Sequence, residues 1–327
     1  MEEQTNSNTE ICPPPAAKPP FWKNTLFQIA AFIAVILIVA AAVTGGLRGS
    51  DKPAGGHIAV VHISGVMLTG FASDSLFGFS DGSFSGTVAE NIRKAADDPS
   101  VKGIILSINS PGGTPVAAEE ISEAVDYAKA QHKPVYASME DTAASAAYWV
   151  AAKCDKIYAY RTTITGSIGV IMHGYDASGL MKMLGVAPQT VKAGKYKDIG
   201  SMDRAMSEEE KAILQKMIDT TYEVFISEVA AGRRLGEARV RQLAEGRVYS
   251  GVQAKAAGLV DETGSYNSCL AAIGKAAGLG DSPEAVAADG KNNIYQSLFG
   301  SVGPDMEKRV LRNALDMLAN EAGTTRR

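Results

Sequence analysis

Cysteine and histidine are scarce in this chain of 327 residues, with three cysteines (Cys12, Cys154, Cys269) and four histidines (His57, His62, His132, His173). Three scattered cysteines build neither a disulfide framework nor a cysteine-rich zinc site. The histidines form no HExxH pattern and no ligand cluster, so no metal or other cofactor is expected. A surplus of one charge sign is lacking too. The 32 Lys and Arg face 36 Asp and Glu, a net charge of −4 with a pI near 5.7, which offers no basic footprint for nucleic acid. What is present is a globular composition, 46% hydrophobic and 21% charged. At about 150 residues per domain, the length allows one large domain or two small ones.

One segment departs from that average. Residues 26–43 read LFQIAAFIAVILIVAAAV without a charge, and extension to Leu47 reaches the roughly 20 residues that cross a hydrocarbon core. The 25 residues before it are Pro-rich and acidic at Glu2, Glu3 and Glu10. The short basic region of a cleaved leader is missing, so the spacing predicts an uncleaved transmembrane helix over 26–47, in contact with membrane lipid. Lys18 and Lys23 precede the span and Arg48 and Lys52 follow it, a tie that leaves orientation undecided by charge. The expected organisation is an unstructured segment 1–25, the anchor 26–47, a linker 48–56, a catalytic domain 57–278 and a tail 279–327 with one amphipathic helix.

From His57 onward, apolar strand-like runs alternate with helical patterns. HIAVVHI (57–63), VKGIILSIN (101–109), KPVYASM (133–139) and KIYAY (156–160) read as strands. Helices are expected from Thr87, with a Thr87/Glu90 capping box, over PVAAEEISEAVDYAKAQ (115–131), over 143–151, and from Ser207, with a Ser207/Glu210 capping box. Two or three shorter helices follow to about Gly278. Such alternation implies βαβ crossovers and a largely parallel α/β sheet. Residues 69–86 are Gly/Ser/Asp-rich with phenylalanines interleaved, a loop that packs on its own core, on a partner subunit or on a membrane surface.

Sites in such sheets lie beyond the carboxyl ends of strands. Asn109-Ser110-Pro111-Gly112-Gly113 leaves one strand end. Two glycines before a helix can present backbone N–H groups to an oxyanion, or can serve a tight turn. Asp141–Trp149 leaves the next. Its Ser145 stands among alanines at a helix start, fit for a nucleophile or a plain cap. Val191–Gly200 brings Lys192, Lys195 and Lys197. No histidine occupies a comparable loop, and a lysine can act as base where burial and neighbours favour its neutral form. Thr165–Gly169 adds Ser167, able to orient an ammonium group.

These motifs, together with GRVYSGVQAKAAGLVDETG (246–264), resemble the signal peptide peptidase A family in order and spacing, over roughly residues 57–275, in its short, single-domain form. The resemblance implies a Ser/Lys-dyad serine endopeptidase on a ClpP/crotonase-like α/β fold. It also implies anchorage in the cytoplasmic membrane with the catalytic domain outside the cytoplasm, remnant signal peptides as substrates, and a homo-oligomer. Matched by motif, Ser145 corresponds to the nucleophile, Lys197 to the general base and Ser167 to the serine that positions the lysine. The backbone N–H groups of Gly112, Gly113 and Ala146 correspond to the oxyanion hole. Many relatives have Ser-Gly-Gly where this chain has Ser145-Ala146-Ala147, and alanine keeps the N–H but resists positive φ. Two other readings stay open on the residues alone: a crotonase-like acyl-CoA enzyme and a membrane-tethered interaction scaffold.

Overall fold

The computed structural model describes residues 56–71 and 82–288. The expected anchor 26–47 and the helix in the tail lie outside them. Among the described residues no helix is long and apolar enough to cross a membrane, and no group of three His, Cys, Asp or Glu is placed to hold a metal ion.

The four apolar runs form β1 (His57–Ser64), β4 (Val101–Ser110), β5 (Val135–Ala144) and β6 (Lys156–Ala159). Together with β9 (Glu262–Thr263) and β10 (Ala285–Ala287) they order as β10-β1-β4-β5-β6-β9, every pair parallel. Parallel strands need helical crossovers that cover both sheet faces, which is why these runs are apolar almost without alternation. Period-two geometry still sorts them. Ile104, Leu106 and Ile108 enter the larger core, whereas Ile105 joins Ile58, Tyr136 and Tyr158 in the smaller one.

Helices α1 (Ser85–Asp97) and α2 (Pro115–Ala130) cross over on the larger-core side. The α2 helix starts on a Thr114 side-chain cap with Pro115 at its first position. Helix α1 differs from expectation. It begins at Ser85, two residues before Thr87, and its N-cap is Phe84 with no side-chain cap bond. The cause is β3 (Gly82–Phe84), which pairs with β2 (Val66–Leu68) and runs directly into the helix, so Thr87 already lies inside it. Glu90 turns instead to Lys94 at 2.6 Å.

Helix α3 (Ala146–Lys153) is buried on all sides through Ala152, as expected of a helix with no polar face. Strand β5 runs on through Ala144, so α3 starts three residues later than the sequence predicts and Ser145 precedes it. The extension forms because residues 142–144 pair with β7 (Ile164–Gly166), which in turn pairs antiparallel with β8 (Val248–Ser250).

The rest is helical: α4 (Ser178–Met183), α5 (Glu208–Arg233), α6 (Glu237–Leu243), α7 (Gly251–Ala257) and α8 (Tyr266–Ala276). The Ser207/Glu210 capping box opens α5 as the sequence indicates. Phe225, Ile226 and Val229 near the far end of α5 are buried, and the Phe225 ring stacks on Trp149 of α3 at 4.8 Å. Helix α8 covers the smaller core with Cys269 and Ile273. Cys154 and Cys269 are buried free thiols, and burial pushes Cys269 up to about 12.

Candidate active site

Ser145 occupies the joint between β5 and α3 with φ 55° and ψ −126°. A serine in that region of backbone space is strained and persists only where both flanks hold it. They do. Its N–H donates to the Gly166 carbonyl of β7 at 2.8 Å, and its carbonyl accepts from the Trp149 N–H at 3.0 Å. The side chain is half-buried, and its hydroxyl has no hydrogen-bond partner among the described residues.

Ser145 opens into a cavity of about 270 Å³ together with Gly113, Pro115, Ala146, Trp149 and Met217. The first N–H groups of a helix have no partner within it, and that of Ala146 has no acceptor among the described residues. The same holds for Gly113. Its neighbours are tied to β2, with the Met67 N–H donating to the Gly112 carbonyl (2.9 Å) and the Thr114 N–H donating to the Met67 carbonyl (3.0 Å). Gly112 stands differently from Gly113. Its own N–H donates to the Ser110 hydroxyl at 3.1 Å. Two free donors, Gly113 and Ala146, therefore share the cavity with the serine hydroxyl, the arrangement an oxyanion hole requires. Alanine at 146 carries no backbone cost, because the left-handed residue is Ser145 and Ala146 lies within α3.

Gly112 matters sterically. Its φ is +110°, and a Cβ there would lie 2.8 Å from the Ser145 Cβ and 2.9 Å from the Ala144 carbonyl oxygen. We expect Gly112→Ala to cost roughly 1–3 kcal/mol and to lower the melting temperature by about 5 °C, read by thermal unfolding. An unchanged melting temperature would show that the turn accommodates a side chain.

Ser167 follows Gly166, whose carbonyl holds Ser145. It shares with Ser145 a second depression of about 510 Å³ reaching Gln215, Asp219 and Tyr222. The structure thus brings Ser145, Ser167, Gly113 and Ala146 together. Helix α5 supplies a wall that the sequence analysis did not assign, Met217, Ile218, Thr221 and Phe225. Its only cue was four apolar or small positions at helical spacing.

Lys197 is elsewhere. It is exposed, on the arm of residues 170–206, and lines neither cavity that contains Ser145. The three lysines of its loop are nevertheless unequal. Lys192 pairs with Asp198. Lys195 lies 2.6 Å from Glu209, which holds it firmly in its charged form, with Tyr196 adding to the effect. Lys197 has no side-chain partner among the described residues. The loop is fastened by Arg204, which reaches both Asp198 (2.9 Å) and Glu210 of the α5 capping box. That guanidinium, foremost, holds the Glu210 carboxyl down at about 2 and the Asp198 carboxyl well below the usual range. The arm is strongly apolar where it meets solvent: Ile171 is 74%, Met183 81% and Val191 99% exposed. No residue of α4 within it is buried.

Residues 127–280 match the model of peptidase family S49. The chain is similar to a candidate protease of Methanocaldococcus jannaschii, 45% identical over 203 residues, 62% of this chain and 64% of that protein. It is similar to a candidate signal peptide peptidase of Enterococcus faecium, 40% identical over 184 residues, 56% of this chain and 54% of that one. A candidate protease of Synechocystis is 39% identical over 188 residues, 55% of this chain and 68% of that one. The chain thus spans between about half and two thirds of the length of these relatives.

Proposed function

The chain belongs to peptidase family S49, and from that premise we propose that it is a membrane-anchored serine endopeptidase that cleaves remnant signal peptides with Ser145 as nucleophile and Lys197 as general base. The observation that carries this reading is the strained Ser145, its hydroxyl unpartnered, in one cavity with the unpaired N–H groups of Gly113 and Ala146.

The chemistry runs as follows. The free amine of Lys197 takes the Ser145 proton as the oxygen attacks the scissile carbonyl. The oxyanion is received by the N–H groups of Gly113 and Ala146, each worth about 3–4 kcal/mol in acyl transfer. The protonated lysine then delivers its proton to the leaving amine, and water releases the acyl group. Ser167, beside Ser145, accepts a hydrogen bond from the lysine and aims it.

Lys197 lies outside the cavity of its own chain, and the arm that bears it exposes apolar side chains in a density that marks an interaction surface. A second copy of the chain satisfies both conditions. The arm of one protomer covers the cavity of the next and inserts Lys197 into the apolar surroundings in which an amine acts as base. The apolar walls of the cavity suit aliphatic side chains. That composition, with the relative named as a signal peptide peptidase, supports signal peptides as the substrate class. Residues 26–47 anchor the chain in the cytoplasmic membrane, and the catalytic domain faces away from the cytoplasm.

A fluorophosphonate probe tests the activated serine. On the full chain, we expect mass spectrometry to map the adduct to Ser145, with labelling lost in Lys197→Ala. A folded sample that resists the probe would leave only the shared fold.

A further inference from the structure

The cavity at Ser145 shares a wall with a second one. Pro115, at the first turn of α2, and Trp149, on α3, both wall the first cavity. Farther along α2 come Glu119, Ser122, Glu123 and Asp126. Along α5, beyond Met217 and Thr221, come Val224 and Glu228. These residues and Trp149 line a neighbouring cavity of about 240 Å³ that also holds Lys153. Both cavities are lined by α2, α3 and α5 and share Trp149 as a wall; taken together as one groove, the end beside Ser145 is apolar and the far end acidic.

The acidic end is short of cations. Asp126 and Glu228 share Lys153, each at 2.9 Å. Glu119 and Glu123 have no hydrogen-bond or ion-pair partner among the described residues. Their i,i+4 spacing on α2 sets like charges side by side, an arrangement that costs helix stability. The same end is short of hydrogen-bond partners. Among the described residues the Ser122 hydroxyl and the Trp149 indole N–H have no partner, on residues only 5% and 2% exposed. Buried donors without acceptors are uncommon and unfavourable, and the indole N–H can be satisfied only by an acceptor. A bare metal ion would answer the carboxylates but not the indole N–H, to which it offers no acceptor.

We propose that the acidic end of this groove is a subsite for a lysine or arginine of the peptide substrate. Its cationic side chain lies against Glu119 and Glu123, over the Ser122 side chain that lines the same cavity. The inference rests on the peptidase reading and deepens it. At about 1.5 Å per helical residue, Glu119 and Glu123 stand about 6 and 12 Å along α2 from Pro115. An extended peptide covers about 3.3 Å per residue, so the basic residue sits about two to four positions from the one held beside Ser145. A basic residue followed closely by an apolar one is the junction between the charged and apolar regions of a signal peptide. The groove thus directs the cut toward that junction.

The test compares two fluorogenic peptides, identical except for Lys or Gln two to four residues N-terminal to the cleaved bond. For the full chain we expect kcat/KM to favour the Lys peptide about fivefold at low ionic strength, with the preference fading as salt is added. Glu119→Gln combined with Glu123→Gln should bring that ratio to one. Glu119→Lys combined with Glu123→Lys should invert it in favour of a Glu peptide. Because each ratio is taken within one protein, a general loss of activity cancels. A ratio near one in the unaltered chain, or the same ratio in all three proteins, would overturn the subsite.

Should no peptide be cut, the peptidase reading fails separately, and binding decides the subsite. Fluorescence anisotropy of the labelled Lys and Gln peptides on full-length Ser145→Ala should show tighter binding of the Lys peptide, abolished by the two Gln substitutions. Equal affinities would reject it.

Discussion

Ser145→Ala is expected to lower kcat/KM for peptide hydrolysis by about four orders of magnitude or more while leaving the melting temperature unchanged. The two halves of that expectation rest on different observations. The loss follows from the role proposed for the hydroxyl, that of nucleophile in the cavity that Gly113 and Ala146 also line. The unchanged stability follows from that hydroxyl having no partner among the described residues. Removing it strands no buried donor or acceptor, and the bonds that fix residue 145 are made by its backbone to Gly166 and Trp149. Alanine and serine both carry a Cβ, so the positive φ costs each about the same. Activity and thermal unfolding on the same sample check both halves. Residual hydrolysis within tenfold of the unaltered chain would remove Ser145 from the mechanism. A fall in melting temperature would show a hydrogen bond that the folded chain makes outside the described residues.

What the sequence disclosed about the fold follows the strength of the local pattern. The runs 57–63 and 101–109 became β1 and β4 because residues buried on both sheet faces leave an unbroken apolar imprint. Strands β3, β7, β8 and β9 span two or three residues each and were not legible. Strands so short carry no period and exist because a neighbour pairs with them. They account for the two misplaced helix starts. Pairing of β3 with β2 moved the start of α1 upstream, away from the Thr87/Glu90 pattern, and pairing of β7 with β5 moved the start of α3 downstream to Ala146. The Ser207/Glu210 box formed as expected because α5 emerges from a loop, where a side-chain cap is the available partner for its first N–H groups.

The site was legible to the same degree. Gly112-Gly113, Ser145 and Ser167 stand in loops that follow β4, β5 and β7, strands whose ends the parallel sheet gathers, so their convergence follows from chain order alone. The division of labour between the glycines was not legible. Whether a glycine N–H is free depends on what its neighbours bond, here Ser110 for Gly112 and β2 for the residues flanking Gly113. The position of Lys197 was not legible either. Its loop belongs to no strand of the sheet, and nothing in the spacing of residues 191–200 says where in space the lysine comes to lie.

Lys197→Ala alone is expected to lower kcat/KM by about three to four orders of magnitude, and mixing it with Ser145→Ala should restore activity. If Lys197 serves the cavity of the next protomer, a chain lacking Ser145 still lends its lysine, and a chain lacking Lys197 still offers its serine. In a random assembly of equal amounts, about a quarter of the interfaces pair an intact lysine arm with an intact serine cavity. The mixture should therefore reach about a quarter of the unaltered rate after the two proteins are dissociated and reassembled together. A lysine acting within its own chain gives a different result, because every chain then lacks one member of the dyad and the mixture stays inactive at any ratio. The exposed side chains of the arm favour restoration. Met183 and Val191, 81% and 99% exposed, line neither cavity that contains Ser145 in their own chain, and docking on a second copy would cover them, while Arg204, bonded to Asp198 and to Glu210 at the start of α5, fastens the lysine loop. Ile171→Asp together with Val191→Asp in the lysine-donating chain should abolish the restoration, since two carboxylates would then have to be desolvated for the arm to dock.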